Sequence, residues 1–201
     1  MNRVTWIAFG VVFTVFSSLA GLVIIPDWQY RDLAAYQNEL DEVYPVRPSG
    51  FVAQGRGVYI DLGCVYCHSQ QVRPEGYGAD IDRGWGMRRT VARDYIYDSP
   101  PLMGSMRTGP DLSNIGARQP SKEWHYLHLY NPQITSQGSV MPEYPFLFDV
   151  VKNPEREPFG GIRLPDQWAS EPTWIVPRPR AEQLVEYLKS LDRGFDLPEA
   201  Q

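Results

Sequence analysis

The sequence lacks an excess of basic residues. Lysine and arginine number 19 against 24 aspartates and glutamates, which gives a formal net charge of −5. A general nucleic-acid-binding protein needs a basic surface to neutralise phosphates, so the composition argues against that class and no nucleic acid is expected as a partner. The sequence also has no internal repeat, and it contains only two cysteines and three histidines, which keeps the set of candidate metal ligands short.

Long apolar runs are scarce as well. With 201 residues the chain has room for one modest domain and little else. Its 18 prolines and 17 glycines favour turns and extended loops over long helices. The exception is Val4–Ile25, where 22 residues carry no charge.

This run is interpreted as a transmembrane anchor. A hydrocarbon core about 30 Å thick needs roughly 20 helical residues, so residues 1–26 are assigned to the anchor and residues 4–25 to contact with the lipid membrane. A cleaved signal peptide is the alternative, because Ser18-Leu19-Ala20 is an acceptable cleavage site. The apolar run continues past that site, whereas the apolar part of a signal peptide is only about 7–15 residues long. The length therefore favours an uncleaved anchor.

Residues 27–50 are interpreted as a stalk helix followed by a linker. The apolar positions that recur at helical spacing are Leu33, Tyr36, Leu40 and Val43. They predict a helix over Gln29–Val43, and the prolines and glycine of residues 44–50 predict a linker. A further helix is expected to follow from Phe51 and to end at Gly63.

Cys64 and Cys67 are separated by two residues, and His68 follows at once. A structural zinc site needs four ligands, which would recruit His125 and His128 over a distance unlike a zinc finger and leave His68 idle. A thioredoxin-like pair belongs to a strand–helix alternation, and none is visible. Cys-x-x-Cys-His is the attachment motif of c-type haem, in which both thiols form thioethers and the imidazole binds the iron.

Two further segments resemble class I cytochromes c. The first is "RTGPDLSNIGAR", from Arg107 to Arg118. The resemblance implies that the Pro110 carbonyl accepts a hydrogen bond from His68 and that Arg118 lies near a haem propionate. The second is an amphipathic C-terminal helix, predicted over Ala181–Leu191. In the family such a helix crosses the N-terminal one over a small residue such as Gly57.

The sixth iron ligand must come from the remaining methionines and histidines. The candidates are Met87, Met103, Met106, Met141, His125 and His128. Met141 is favoured, because it lies in an extended proline-bounded loop at the position of the family's ligand methionine, and Met/His ligation raises the potential. The histidines fall in a short predicted helix capped by Ser121, where surface or interface roles are more common than iron ligation.

The chain as a whole resembles a narrower family, the membrane-anchored mono-haem cytochrome c subunit of cbb(3)-type haem-copper oxidases (the CcoO/FixO family, subunit II). The matching pieces, in order, are "GRGVYIDLGCVYCHSQ", "VRP", "YDSPP", "GSMRTGPDL", "EWHYLHLYNP", "MPEYPFL" and "LVEYLKSL". The resemblance implies a mainly α fold, with a single N-terminal transmembrane helix and a class I cytochrome c-like domain with long loops over residues 51–201.

The resemblance also implies a role in electron transfer. One covalently attached haem c would face the periplasm from the bacterial inner (cytoplasmic) membrane. A dihaem or other cytochrome c would donate electrons, and the haem-copper catalytic subunit would receive them and reduce oxygen. The chain itself would contribute no catalytic acid, base or nucleophile. Ser105, Arg107 and Arg73 are candidate contacts with the partner subunits, although an ordinary ion pair would account equally well for the arginines.

The sequence departs from the family in the proline-rich insertion at residues 150–180. Its Trp168 and Trp174 could cap the haem edge, face a partner or pin a loop. Two other functions therefore stay open. The chain could be the anchored cytochrome c of another redox complex, such as nitric oxide reductase, or a haem-sensor ectodomain.

Overall fold

The computed structural model describes residues 3–200. These form two compact units, one comprising residues 3–45 and 92–96 and the other residues 46–91 and 97–200. As expected, the chain is mainly helical, with one N-terminal apolar helix and a helical domain with long loops, to which small sheets are added.

The first unit begins with a helical segment of 28 residues, Arg3–Tyr30. It consists of α1 (Arg3–Leu19), a π-helical turn (Ala20–Ile24) and α2 (Ile25–Tyr30). At 1.5 Å per residue, such a segment is about 42 Å long, which exceeds the hydrocarbon thickness of a bilayer. Its apolar side chains are exposed, with Phe9 at 62% and Leu22 at 78%. The segment is therefore long and apolar enough to cross a membrane.

The stalk helix predicted over Gln29–Val43 is wrong, because helix α2 ends at Tyr30. Strands β1 (Tyr36–Gln37) and β2 (Val43–Tyr44) pair antiparallel instead. The turn between them is organised by Asn38, whose side-chain oxygen accepts hydrogen bonds from the backbone N–H groups of Leu40 at 3.0 Å and Glu42 at 2.9 Å. Such side-chain bonds compete directly with helix formation, and helical spacing alone does not reveal them.

The second unit is built on two crossed helices, α3 (Gly50–Asp61) and α6 (Pro179–Ser190). Helix α3 ends at Asp61, and Gly63 terminates it in the left-handed conformation with a φ of 72°, as predicted. The buried side chains of this crossing include Val58, Tyr59, Leu184, Val185, Tyr187 and Leu188.

The crossing depends on Gly55 rather than on Gly57, so the expectation for Gly57 is wrong. A Cβ built on Gly55 would lie 1.8 Å from the backbone oxygen of Gln183 in α6, whereas nothing lies within 4 Å of a Cβ at Gly57. Both glycines belong to the same helix, and only their faces differ. Gly55 lies on the face that meets α6. Gly57 points to the opposite side, because the helix turns by about 200° over two residues.

Two short helices lie between α3 and α6. They are α4 (Ile115–Arg118) and α5 (Lys122–Tyr130). The predicted cap of α5 is confirmed, since the Ser121 hydroxyl accepts a hydrogen bond from the backbone N–H of Trp124 at 3.2 Å. The remaining single-turn 3₁₀ segments are Cys64–Tyr66, Ala92–Tyr95, Pro132–Ile134, Pro145–Leu147, Asp166–Trp168 and Pro198–Ala200.

The proline-rich segment folds into an antiparallel sheet with strand order β3-β5-β4. Its strands are β3 (Phe148–Lys152), β4 (Ile162–Arg163) and β5 (Thr173–Pro177). Phe148 packs this sheet on α5. Its ring lies edge-to-face against the rings of Tyr126 and Tyr130, with centroid separations of 6.2 and 5.8 Å. The prolines of this segment are thus compatible with a regular sheet packed on the helical domain.

Candidate functional site

A cavity of about 580 Å³ lies in the second unit. This volume is in the range of small-molecule and cofactor sites. Every residue predicted to hold the cofactor lines it, namely Cys64, Cys67, His68, Pro110, Arg118 and Met141. Other cavity-lining side chains come from α4, α5 and the loop after α5, and they include Ile115, Trp124, His125, His128, Leu129 and Tyr144.

The turn after α3 brings the two thiols and the imidazole to one wall. Its 3₁₀ geometry is closed by hydrogen bonds from the backbone N–H groups of Cys67 and His68 to the Cys64 carbonyl, at 3.2 and 3.0 Å. Neither cysteine forms a disulfide. Burial raises the pKa of the Cys64 thiol to about 11, whereas Cys67 is exposed.

The imidazole of His68 has a fixed orientation. Its Nδ1 lies 2.8 Å from the carbonyl oxygen of Pro110. Because a carbonyl only accepts, Nδ1 carries the proton and Nε2 keeps its lone pair for a metal. Burial lowers the pKa of His68, which favours the neutral ring.

The ring also lies directly against Gly109. A Cβ at that position would be 2.2 Å from Cε1 of His68. The Gly-Pro pair therefore serves two purposes, since the glycine makes room for the imidazole and the proline supplies the acceptor for it.

Arg118 lies on another wall and has a donor to spare. One guanidinium N–H donates to the backbone carbonyl of Asp111. Its Nε is buried without a hydrogen-bond partner in the described part of the chain. Burial lowers the pKa of this guanidinium. The guanidinium lines the cavity, where it suits an anionic group such as a propionate.

Met141 faces the same cavity from the loop after α5. Its backbone N–H donates to the Ser139 hydroxyl at 3.2 Å, which holds the loop turn. The other three candidate methionines are absent from the cavity lining among residues 3–200. They are exposed instead, Met87 at 88%, Met103 at 37% and Met106 at 55%. The geometry therefore favours Met141 among the methionines.

The two histidines of α5 also line the cavity, so the surface role expected of them is wrong. His125 is only 2% exposed, and its Nε2 donates to the carbonyl of Gln119 at 2.8 Å. Nδ1 of His128 lies 2.6 Å from the Thr135 hydroxyl, and its ring stacks on Trp124 at 4.6 Å. Burial lowers the pKa of His128 to about 4. The face of α5 that lines the cavity thus carries both histidines together with Trp124 and Leu129.

The two cysteines and the α5 histidines do not assemble into a zinc site. Among residues 3–200, no three His, Cys, Asp or Glu side chains are grouped as metal-ion ligands would be. The cavity has the room for a haem, and its lining carries two thiols, the His68 imidazole, the Met141 thioether and the Arg118 guanidinium.

The predicted interface residues lie outside the cavity lining. Ser105 is exposed. Arg73 and Arg107 both form ion pairs with the fully buried Asp80, at 2.8 and 2.7 Å. These pairs account for the arginines within the chain and leave their contact with a partner as a prediction.

The tryptophans of the insertion do not line the cavity either. Trp174 lies in β5, where the Arg163 guanidinium sits 5.7 Å from its ring centroid, and Trp168 is 38% exposed. Trp174 is therefore part of the sheet, whereas Trp168 lies in the 3₁₀ turn Asp166–Trp168, and both positions favour a role in holding this segment together.

Sequence reasoning missed the buried carboxylate of Asp111. It accepts hydrogen bonds from the Ser69 hydroxyl and from the backbone N–H groups of Gln71 and Ser113. An aspartate beside a Gly-Pro turn has no periodicity that distinguishes it from an ordinary turn residue, so the sequence carried no signal for it.

A comparison with known protein families identifies the family of the chain. Residues 2–157 match the family model described as cytochrome C oxidase, mono-heme subunit/FixO. No curated protein matches the chain. The match covers the anchor, the Cys-x-x-Cys-His turn, the Pro110 segment and the Met141 loop, which is well over half of the sequence. The chain therefore belongs to the FixO family, the mono-haem subunit of cytochrome c oxidase.

Proposed function

We propose that this chain is the electron-transfer subunit of a cbb(3)-type haem-copper terminal oxidase. It holds one haem c, receives electrons from a dihaem or other cytochrome c, and passes them to the catalytic subunit that reduces oxygen. The observation that carries the proposal is the convergence of Cys64, Cys67, His68 and Met141 on one cavity.

Each residue has a definite task in this proposal. Cys64 and Cys67 attach the haem covalently as thioethers, and His68 and Met141 bind its iron. When bound, the haem supplies reversible one-electron transfer. Pro110 keeps the proton of His68 on Nδ1, so that Nε2 stays a ligand. The Arg118 guanidinium, which lines the same cavity, bonds a propionate.

The chain also controls where the electron can go. The helical segment Arg3–Tyr30 anchors the domain in the inner membrane, with the haem domain on the periplasmic side. Arg3 on the opposite side of the span is in keeping with positive-inside orientation. Residues Ser105, Arg107 and Arg73 are proposed to contact the partner subunits.

The proposal is tested by purification from native membranes in mild detergent through a tag at Gln201. Subunit masses, haem types and the consumption of oxygen and of nitric oxide are measured. A haem-copper subunit that co-purifies and consumes oxygen supports the proposal. A complex that consumes only nitric oxide, or a lone haem protein that binds carbon monoxide, contradicts it.

A matched pair of variants tests the attachment. The double variant Cys64→Ala/Cys67→Ala is expected to carry no haem that stays bound to the polypeptide after denaturation. Met87→Ala is the control, because Met87 is exposed and lies outside the cavity lining. Haem that stays covalently bound in the double cysteine variant would contradict the proposed attachment.

A further inference from the structure

Asp111 is a fully buried carboxylate beside the haem cavity. Its Oδ2 accepts hydrogen bonds from the Ser69 hydroxyl at 2.6 Å and from the backbone N–H of Gln71 at 2.8 Å. Its Oδ1 accepts from the backbone N–H of Ser113 at 2.8 Å. All three partners donate, so the group acts purely as an acceptor, which is the behaviour of an ionised carboxylate.

The bond between Ser69 and Asp111 joins the chain neighbours of His68 and Pro110. Ser69 directly follows His68, and Asp111 directly follows Pro110. The bond between Ser69 and Asp111 therefore lies one residue from the bond between His68 and Pro110 on both segments.

Backbone bonds run along the same two segments. The N–H of Gly109 donates to the Cys67 carbonyl at 2.9 Å, and the N–H of Leu112 donates to the Ser69 carbonyl at 2.8 Å. Asp111 adds the side-chain bonds that close this ladder. The acceptor for the His68 proton is thus held in place by the carboxylate behind it.

Two arginines touch this arrangement without bonding the carboxylate itself. Nε of Arg107 donates to the Ser69 hydroxyl oxygen at 2.9 Å. A guanidinium N–H of Arg118 reaches the Asp111 backbone carbonyl. The Ser69 oxygen accepts the Arg107 N–H, and the Ser69 hydroxyl proton is directed at Asp111. In the part of the chain that the structure describes, the carboxylate forms no ion pair within 4 Å.

We propose that Asp111 is the positioning residue of the haem site, where it fixes the Pro110 carbonyl on Nδ1 of His68 and places a buried negative charge behind that ligand. The inference rests on the proposed function, since it needs a haem on His68. A buried charge is weakly screened. A negative charge stabilises the oxidised iron over the reduced iron, so Asp111 lowers the potential.

The substitution Asp111→Asn separates this role from shape. Asparagine is nearly the same size but carries no charge, and one of its two terminal atoms becomes a donor. That NH₂ must face either Ser113 N–H or the Gln71 N–H, so at least one buried bond is lost. We expect a more positive midpoint potential. The reduction equilibrium should shift on the order of tenfold toward the reduced iron, which corresponds to about 59 mV for one electron. We also expect faster solvent exchange of the His68 Nδ1 proton.

Two further variants complete the design. Ser69→Ala removes one bond to the carboxylate and keeps its charge, so the His68 proton should exchange faster while the potential stays close to that of the native protein. Asp98→Asn is the matched control. Asp98 is also mostly buried, with its side chain 15% exposed, but its ion pairs are with Arg56 and Arg193 rather than with the partners of Asp111. Its loss should leave the His68 proton protected.

The experiment uses the full chain with its haem in detergent. Covalent haem content is measured first, then the midpoint potential and the exchange of the His68 Nδ1 proton by NMR. A potential in Asp111→Asn no higher than in Asp98→Asn would overturn the electrostatic role. Native exchange rates in both Asp111→Asn and Ser69→Ala would overturn the positioning role. If Asp111→Asn does not fold, Ser69→Ala still decides the positioning role. Native protein without covalent haem would overturn the proposed function itself.

Discussion

Gly109 lies so close to His68 that no other residue fits between the imidazole and the backbone. The missing Cβ would stand 2.2 Å from Cε1 and 2.7 Å from Nδ1. The same ring atom, Nδ1, donates to the next residue, Pro110. The imidazole is thus packed and hydrogen-bonded by two consecutive residues.

Gly109→Ala is expected to displace the imidazole, because contacts this short require the ring or the backbone to move. The expected result is loss of the native low-spin absorption spectrum and a lower yield of haem protein. Absorption spectra of the purified variant check this. Gly57→Ala is the control, since a Cβ there meets nothing within 4 Å. A native spectrum for Gly109→Ala would contradict the packing described here.

Met141→Ala is expected to lower the potential and to open the iron to carbon monoxide, because the thioether ligand that favours the reduced iron is removed. His125→Ala should leave carbon monoxide excluded, since the Nε2 of His125 is already bonded to Gln119. Potentiometry and carbon monoxide difference spectra measure both effects. Equal loss of the native spectrum in the two variants would contradict the ligand assignment, and Met87→Ala serves as the methionine control.

Gly55→Ala should destabilise the domain by about 1–3 kcal/mol or more, as overpacked cores do. The added methyl would overlap the backbone oxygen of Gln183, which cannot rotate away. Gly57→Ala in the same helix should instead stabilise it by up to about 1 kcal/mol through helix propensity. Denaturant unfolding of the haem protein compares the two. Similar midpoints would show that α3 and α6 do not meet at Gly55.

His128 should make the domain less stable in acid. Burial lowers its pKa to about 4, so between that pH and its ordinary value near 6.5 the unfolded chain binds more protons than the folded one. Stability therefore falls as the pH drops from about 6.5 to about 4, by up to about 3 kcal/mol in total.

The measurement is the unfolding free energy against pH for the native protein and for His128→Gln, which keeps an amide to bond Thr135. The native curve should be steeper across this range, and the difference between the curves isolates His128 from the carboxylates. Parallel curves would mean that His128 is exposed or already charged in the folded state.

Much of the site was predictable because its information is local. Cys64, Cys67 and His68 occupy one turn, and their spacing by itself dictates that they point the same way. Pro110 and Arg118 followed from a short motif resembling a known family. Each of these residues lines the cavity.

Other residues could not be predicted, because their roles arise from distant parts of the chain. Asn114 is an example. Its side chain donates to the Trp85 carbonyl and accepts from the backbone N–H of Arg193, each at 2.8 Å. It thereby ties the segment after Pro110 to two others that lie 29 and 79 residues away. No pattern within its own segment signals this.

The sequence by itself determined the membrane-spanning length of the N-terminal run, the Cys-x-x-Cys-His turn and the family, because an uncharged run and closely spaced motifs express their chemistry without tertiary contacts. Tertiary structure alone decided the rest. It brought Met141 to the cavity lining and left the other candidate methionines exposed, placed Gly55 rather than Gly57 at the helix crossing, and formed a sheet from the proline-rich insertion. It also turned His125 and His128 toward the cavity and bonded Asp111 to Ser69, next to His68. These outcomes depend on which surfaces pack together, and the free energy of that packing is shared between residues far apart in the chain.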